Sequence, residues 1–119
     1  MSKLAPIVEH CHQTLQWIIP TIDKFPRQRR FTVGERIETG LLDILTFATE
    51  ASYATQKSAL LQQASLRLNV VIHLWRLSYE LKIIDKRRYF FGAEKLNIIG
   101  RQLGGWRKQY SNKGNSLKS

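Results

Sequence analysis

The sequence predicts an all-α protein, an antiparallel up-down-up-down four-helix bundle. Apolar residues recur at intervals of three and four along four stretches, no stretch alternates with the period of a strand, and the connections between stretches are short. A length of 119 residues allows one domain around one core. The expected division is a bundle over 1–110 and a disordered basic tail over 111–119.

In the first stretch Leu4, Val8, Cys11, Leu15, Ile18, Ile22 and Phe25 step by four and three, one stripe of a bundle helix. Pro6 suits a first turn, whereas Pro20 removes a backbone hydrogen bond and is expected to bend or end the helix near Ile19. Lys24 to Phe31 reads as a loop, because Pro26 pushes Phe25 out of the helical region. Thr32 and Glu35 fit a T-x-x-E capping box, which places the start of the second helix there. Its stripe is Ile37, Leu41, Ile44, Ala48 and Ala51.

Ser58 is the expected cap of the third helix, which carries two stripes. Leu61, Ala64, Leu68, Val71, Trp75 and Ser78 form one; Val70, Leu74, Leu77, Leu81 and Ile84 form the other. A face that wide exceeds the need of one helix in a monomeric bundle, so either this helix is central or the chain self-associates. Arg67, in line with Val70 and Leu74, is expected at the border of that face. On the opposite side Asn69, His73, Arg76 and Glu80 follow helical spacing, which lets Arg76 and Glu80 pair. After Asp85–Arg88 the pattern resumes with Gly92, Leu96, Ile99, Leu103, Trp106 and Tyr110, the fourth helix.

Nineteen Lys and Arg against nine Asp and Glu give a net charge of +10, which points to a polyanionic or acidic partner. The excess is local. Lys24, Arg27, Arg29 and Arg30 lie in the first connection and Lys86, Arg87 and Arg88 in the third, and in an up-and-down bundle those connections share one end. Neighbouring guanidinium groups suit bidentate phosphate or carboxylate contacts and salt-dependent affinity. The plainer reading is a pair of solvated, charged connections that serve solubility. No run approaches a membrane span, and the first residues lack the apolar core of a signal peptide, so a cytoplasmic chain without membrane contact is expected. A single cysteine excludes an internal disulfide.

Other features have simpler explanations. His10, Cys11 and His12 are adjacent in print, but helical neighbours diverge by about 100°, so they do not converge on a metal. No paired-carboxylate, Ser-His-Asp or Cys-His set stands at readable spacing, and neither an enzyme nor a cofactor is expected. Trp75 and Trp106 fall on core stripes rather than among bases. Gly100 and Gly104, followed by Gly105, suggest a close helix contact within or between subunits.

Three segments in order carry a family likeness: Phe25 to Ile37 (FPRQRRFTVGERI), Leu74 to Leu81 (LWRLSYEL) and Gly100 to Trp106 (GRQLGGW). Together they resemble the accessory variability determinant family of diversity-generating retroelements over roughly 15–108. The resemblance implies a homopentameric ring of four-helix protomers that binds the retroelement's reverse transcriptase and its RNA or cDNA during mutagenic retrohoming. The polymerase chemistry belongs to the partner. It carries over Arg27, Arg30, Arg36, Arg76 and Arg101 as partner-binding positions and Gly104 and Gly105 as packing positions. His73 stands where members often have arginine, and Ile98 where an acidic residue is common. With the connections added, the expected binding residues are Arg27, Arg29, Arg30, Arg36, Arg76, Arg87, Arg88 and Arg101. Two alternatives have no nucleic-acid role: a helical protein-protein adaptor, and a four-helix protein of the ribosomal RNA intervening-sequence type, which shares the architecture.

Overall fold

The spacing of three and four becomes four long helices in the computed structural model, which describes the backbone of residues 4–118 and the side chains of residues 4–110. They are α1 (Pro6–Asp23), α2 (Glu35–Tyr53), α3 (Ser58–Glu80) and α4 (Lys86–Lys118). No strand occurs among the described residues. Packing runs around a square: α1 on α2, α2 on α3, α3 on α4 and α4 on α1. At one end the Ala5 amide donates to Ser52 Oγ (3.1 Å), tying the start of α1 to the end of α2. Such ties fix the antiparallel order.

The core is the set of stripes. Ile37, Leu41, Ile44, Ala48 and Ala51 of α2 are fully buried, as are Leu61, Ala64, Val71 and Trp75 of α3 with Leu96, Ile99 and Leu103 of α4. Removing this apolar surface from water is the main stabilising term. Trp75 anchors the end of the bundle where α4 begins. It is 1% exposed, and its indole nitrogen donates to the Tyr89 carbonyl (2.9 Å). Gly92 makes room for it, since a Cβ there would stand 2.5 Å from Trp75 Cζ2.

The second α3 stripe divides. Leu74 is half-buried and Ile84 buried, whereas Val70, Leu77 and Leu81 are exposed, together with Leu66 and Ile72 on the same helix. The wide face is therefore only partly used by the protomer. Arg67 stands beside that surface with Nε 3.5 Å from Asp43 Oδ2 of α2.

Several expectations are corrected. The α1 helix passes through Pro20 to Asp23 instead of stopping at Ile19. Pro20 and Gln16, whose carbonyl loses its amide partner, are both exposed, so the missing bond falls on the solvent side of α1. The first connection is short: Pro26 is the N-cap of a helical turn, Arg27–Arg29, and the amides of Arg29 and Arg30 bond to its carbonyl (2.8 and 2.9 Å). A π-helical turn, Arg30–Gly34, then leads directly into α2. The capping box accordingly does not form. Thr32 Oγ1 donates back to the Gln28 carbonyl (3.1 Å), and the Glu35 amide is already bonded to the carbonyls of Arg30 and Thr32. Ser58 is the first residue of α3 and Lys57 its cap, without a side-chain bond. The Lys57 ammonium instead closes the end of α2, 2.6 Å from the Ala51 carbonyl and 2.5 Å from that of Ala54. The backbone of α4 is helical as far as Lys118. Ser119 lies outside the described residues.

Helix α3 ends in a Schellman closure. The Ile83 amide bonds to the Ser78 carbonyl and the Lys82 amide to that of Tyr79 (both 2.9 Å), with Lys82 in the left-handed region at φ 62°. This closure turns the chain sharply into the third connection.

Candidate nucleic-acid interface

Because α1 and α3 end where α2 and α4 begin, the first and third connections share one pole. A cleft of about 700 Å³ lies between them, with Thr21, Lys24 and Phe25 on one wall and Tyr79, Lys82, Ile83, Lys86 and Arg88 on the other. Of the basic residues of the two connections, Lys24, Lys86 and Arg88 line this cleft together with Lys82, and the carboxylates of Glu80 and Asp85 lie among them.

The arginines differ in what they have left to offer. Arg27 and Arg29 project from the helical turn after Pro26, exposed, their side chains without a hydrogen bond or ion pair among the described residues. Arg87, on the first turn of α4, is equally unpaired. Arg30 is partly committed: its Nη1 lies 3.4 Å from the Asp23 carbonyl, its guanidinium sits 5.2 Å from the Phe31 ring centre, and its Nε is buried without a partner. Arg88 is engaged by Asp85, whose Oδ1 accepts from the Arg88 amide (2.8 Å) and Oδ2 from Nη1 (2.6 Å). That carboxylate caps the start of α4 while neutralising one cation.

The remaining expected residues sit apart or in pairs. Arg36 is the second residue of α2 and lines a groove with Gly40, Asp43 and Arg67. Arg76 pairs with Glu80 (3.1 Å), as the spacing predicted. Arg101 lies 3.5 Å from Glu94. It is roughly 20 Å along α4 from the pole at 1.5 Å per residue, so the fold does not bring it to the cleft. These ion pairs are exposed and each contributes at most about 1 kcal/mol, so an arriving phosphate competes with them readily. Gly104 and Gly105 meet nothing within 4 Å, and at Gly100 a Cβ would reach Leu68 Cδ2 only at an ordinary 3.4 Å. The close approaches occur instead at Gly34, Gly40 and Gly92. Cys11 is buried in the core, and His12 points to solvent.

Beside the cleft is a second groove, of about 850 Å³, that the sequence reading did not find. It runs between the second half of α1 and the start of α4, with Trp17, Pro20 and Lys24 facing Arg87, Phe90 and Phe91. The signal was present in Arg87-Arg88-Tyr89-Phe90-Phe91, where aromatics directly follow the basic connection.

A family model described as bAvd-like matches residues 6–110. The chain belongs to the bAvd-like family. No curated protein and no solved structure among those compared matches it. The span matched to the bAvd-like family includes all four helices as far as Tyr110, and with them both connections of the basic pole. Among the described residues of this bAvd-like bundle, no helix is long and apolar enough to cross a membrane.

Proposed function

We propose that this bAvd-like chain is a non-catalytic accessory subunit of a diversity-generating retroelement. It binds nucleic acid, the template RNA or its cDNA, together with the reverse transcriptase, and supports mutagenic retrohoming while the partner performs the polymerisation. The observation that carries this reading is the shared pole, where Lys24 and Arg87 line one groove, exposed and with no carboxylate partner among the described residues, and where the side chains of Arg27 and Arg29 stand exposed and unpaired on the turn that follows α1. Cations placed together and left unpaired are suited to phosphate, since each phosphate neutralised releases counterions. Assembly as a homopentamer is supported by the exposed Val70 and Leu77 of α3 and Leu81 at its end, apolar surface that a second protomer would cover.

Binding of the purified chain to RNA and DNA over a salt series tests the function. Affinity that falls steeply with salt is expected, and no binding at low salt refutes the reading. Light scattering tests the assembly: the mass of five protomers is expected, and a monomer at micromolar concentration refutes the ring.

A further inference from the structure

The groove between α1 and α4 has a composition that a merely phosphate-binding surface does not need. Phe90 and Phe91 are adjacent, yet 57% and 50% exposed, although neighbouring helical residues point about 100° apart and one of two phenylalanines ordinarily turns to the core. Phe91 lies against the Trp17 ring, centroids 4.8 Å apart, and Trp17 meets the buried Trp75 edge-on at 5.9 Å. Trp75 is held by its bond to the Tyr89 carbonyl and by close contact with Gly92. The aromatic surface therefore rests on a fixed support.

Cations frame it. Lys95 Nζ stands 4.9 Å from the Phe91 ring centre and Lys86 Nζ 6.0 Å from that of Phe90, while Lys24 and Arg87 line the same groove. Asp85, the carboxylate of that wall, is occupied by Arg88. Half-exposed aromatic rings, each with a flexible lysine ammonium over it that a phosphate can draw aside, match unstacked bases joined by phosphates. A duplex keeps its bases stacked inside and offers such rings nothing.

Resting on the reading of the basic pole as a nucleic-acid site, we infer that this groove is a stacking platform for single-stranded nucleic acid. Phe91 and Phe90 receive unpaired bases, and Lys24, Lys86 and Arg87 follow the backbone. The platform gives the chain a preference for unpaired segments that its charge alone does not supply.

Full-length protein titrated with a labelled oligouridylate, an oligothymidylate and a blunt RNA duplex at one salt concentration tests this. The expected result is tighter binding of both single strands than of the duplex. Phe91→Leu keeps apolar volume against Trp17 but loses the π face. It is expected to weaken single-strand binding about tenfold, within the range one stacked base contributes, and to leave duplex binding and the salt slope unchanged. Phe91→Tyr is expected to restore the affinity. Equal binding of single strand and duplex, or a Phe91→Leu protein that binds both as the parent does, overturns the platform and leaves the basic pole standing. Absence of binding to all three probes overturns both readings. A Phe91→Leu protein with altered assembly mass assigns Phe91 to a subunit contact and likewise overturns the platform.

Discussion

Gly92 lies so close beneath Trp75 that a β-carbon at 92 would come within 2.5 to 2.8 Å of three atoms of the indole. The helix thus gives up propensity to let the largest core side chain reach the Tyr89 carbonyl. Gly92→Ala is expected to destabilise the fold by about 1–2 kcal/mol, because overpacking against a rigid ring outweighs the roughly 1 kcal/mol an alanine gains in a helix. Gly104→Ala, with nothing within 4 Å, is expected to stabilise by up to about 1 kcal/mol. Urea denaturation of both variants checks the pair. The same sign for both would contradict the packing described.

Replacing Arg27, Arg29 and Arg30 together by glutamine is expected to lower RNA affinity at least tenfold near physiological salt. It should also reduce the slope of log affinity against log salt by about 2. The side chains of Arg27 and Arg29 make no internal bond among the described residues, so circular dichroism should register little loss of helix. An unchanged slope would remove this turn from the binding surface.

Lys82 closes α3 in a conformation that glycine adopts without strain. Lys82→Gly is expected to raise stability by about 1 kcal/mol while weakening nucleic-acid binding by one cationic contact. Opposite movements of the denaturation midpoint and the affinity would show that the cation is kept at this turn for binding. A stability loss would contradict the strain argument.

Burial pushes the Cys11 thiol up from its ordinary 9.0 to about 12. The folded chain holds this proton to higher pH than the unfolded chain does. The stability it contributes is full below about pH 9 and is lost as pH rises toward about 12. Cys11→Ala is expected to flatten the fall in stability between about pH 9 and pH 10.5, measured by denaturation at each pH. In the parent protein, thiol reagents should label Cys11 only as the chain unfolds. Rapid labelling at neutral pH would show the site open.

The bundle was legible because burial imposes a period: Ile37, Leu41, Ile44, Ala48 and Ala51 follow it, and all are fully buried. The lead-in to α2 was not. Arg27 to Phe31 has no apolar face, so a solvent-facing helical turn leaves the same trace in sequence as a loop. Thr32 and Glu35 carry the letters of a cap, but Pro26 starts the helix upstream and leaves no free amide for Thr32 to serve. The second stripe of α3 could be seen as apolar, though nothing in the pattern told Ile84, which is covered, from Leu81, which is not. At the site, helix connectivity located the pole, whereas the pairing of Arg101 with Glu94, seven residues away, lies outside the i,i+3 and i,i+4 spacings that a sequence displays. Phe90 and Phe91 were missed because exposure is decided by the neighbouring helix.

The π-helical turn at Arg30–Gly34 admits one residue more between successive hydrogen bonds than the α-helix it feeds. Each residue advances the azimuth by about 100°, so this single surplus sets the compass bearing of Arg27 and Arg29 relative to the buried stripe of α2. Core and cation cluster are in that sense geared together, and the gear ratio is written in five residues.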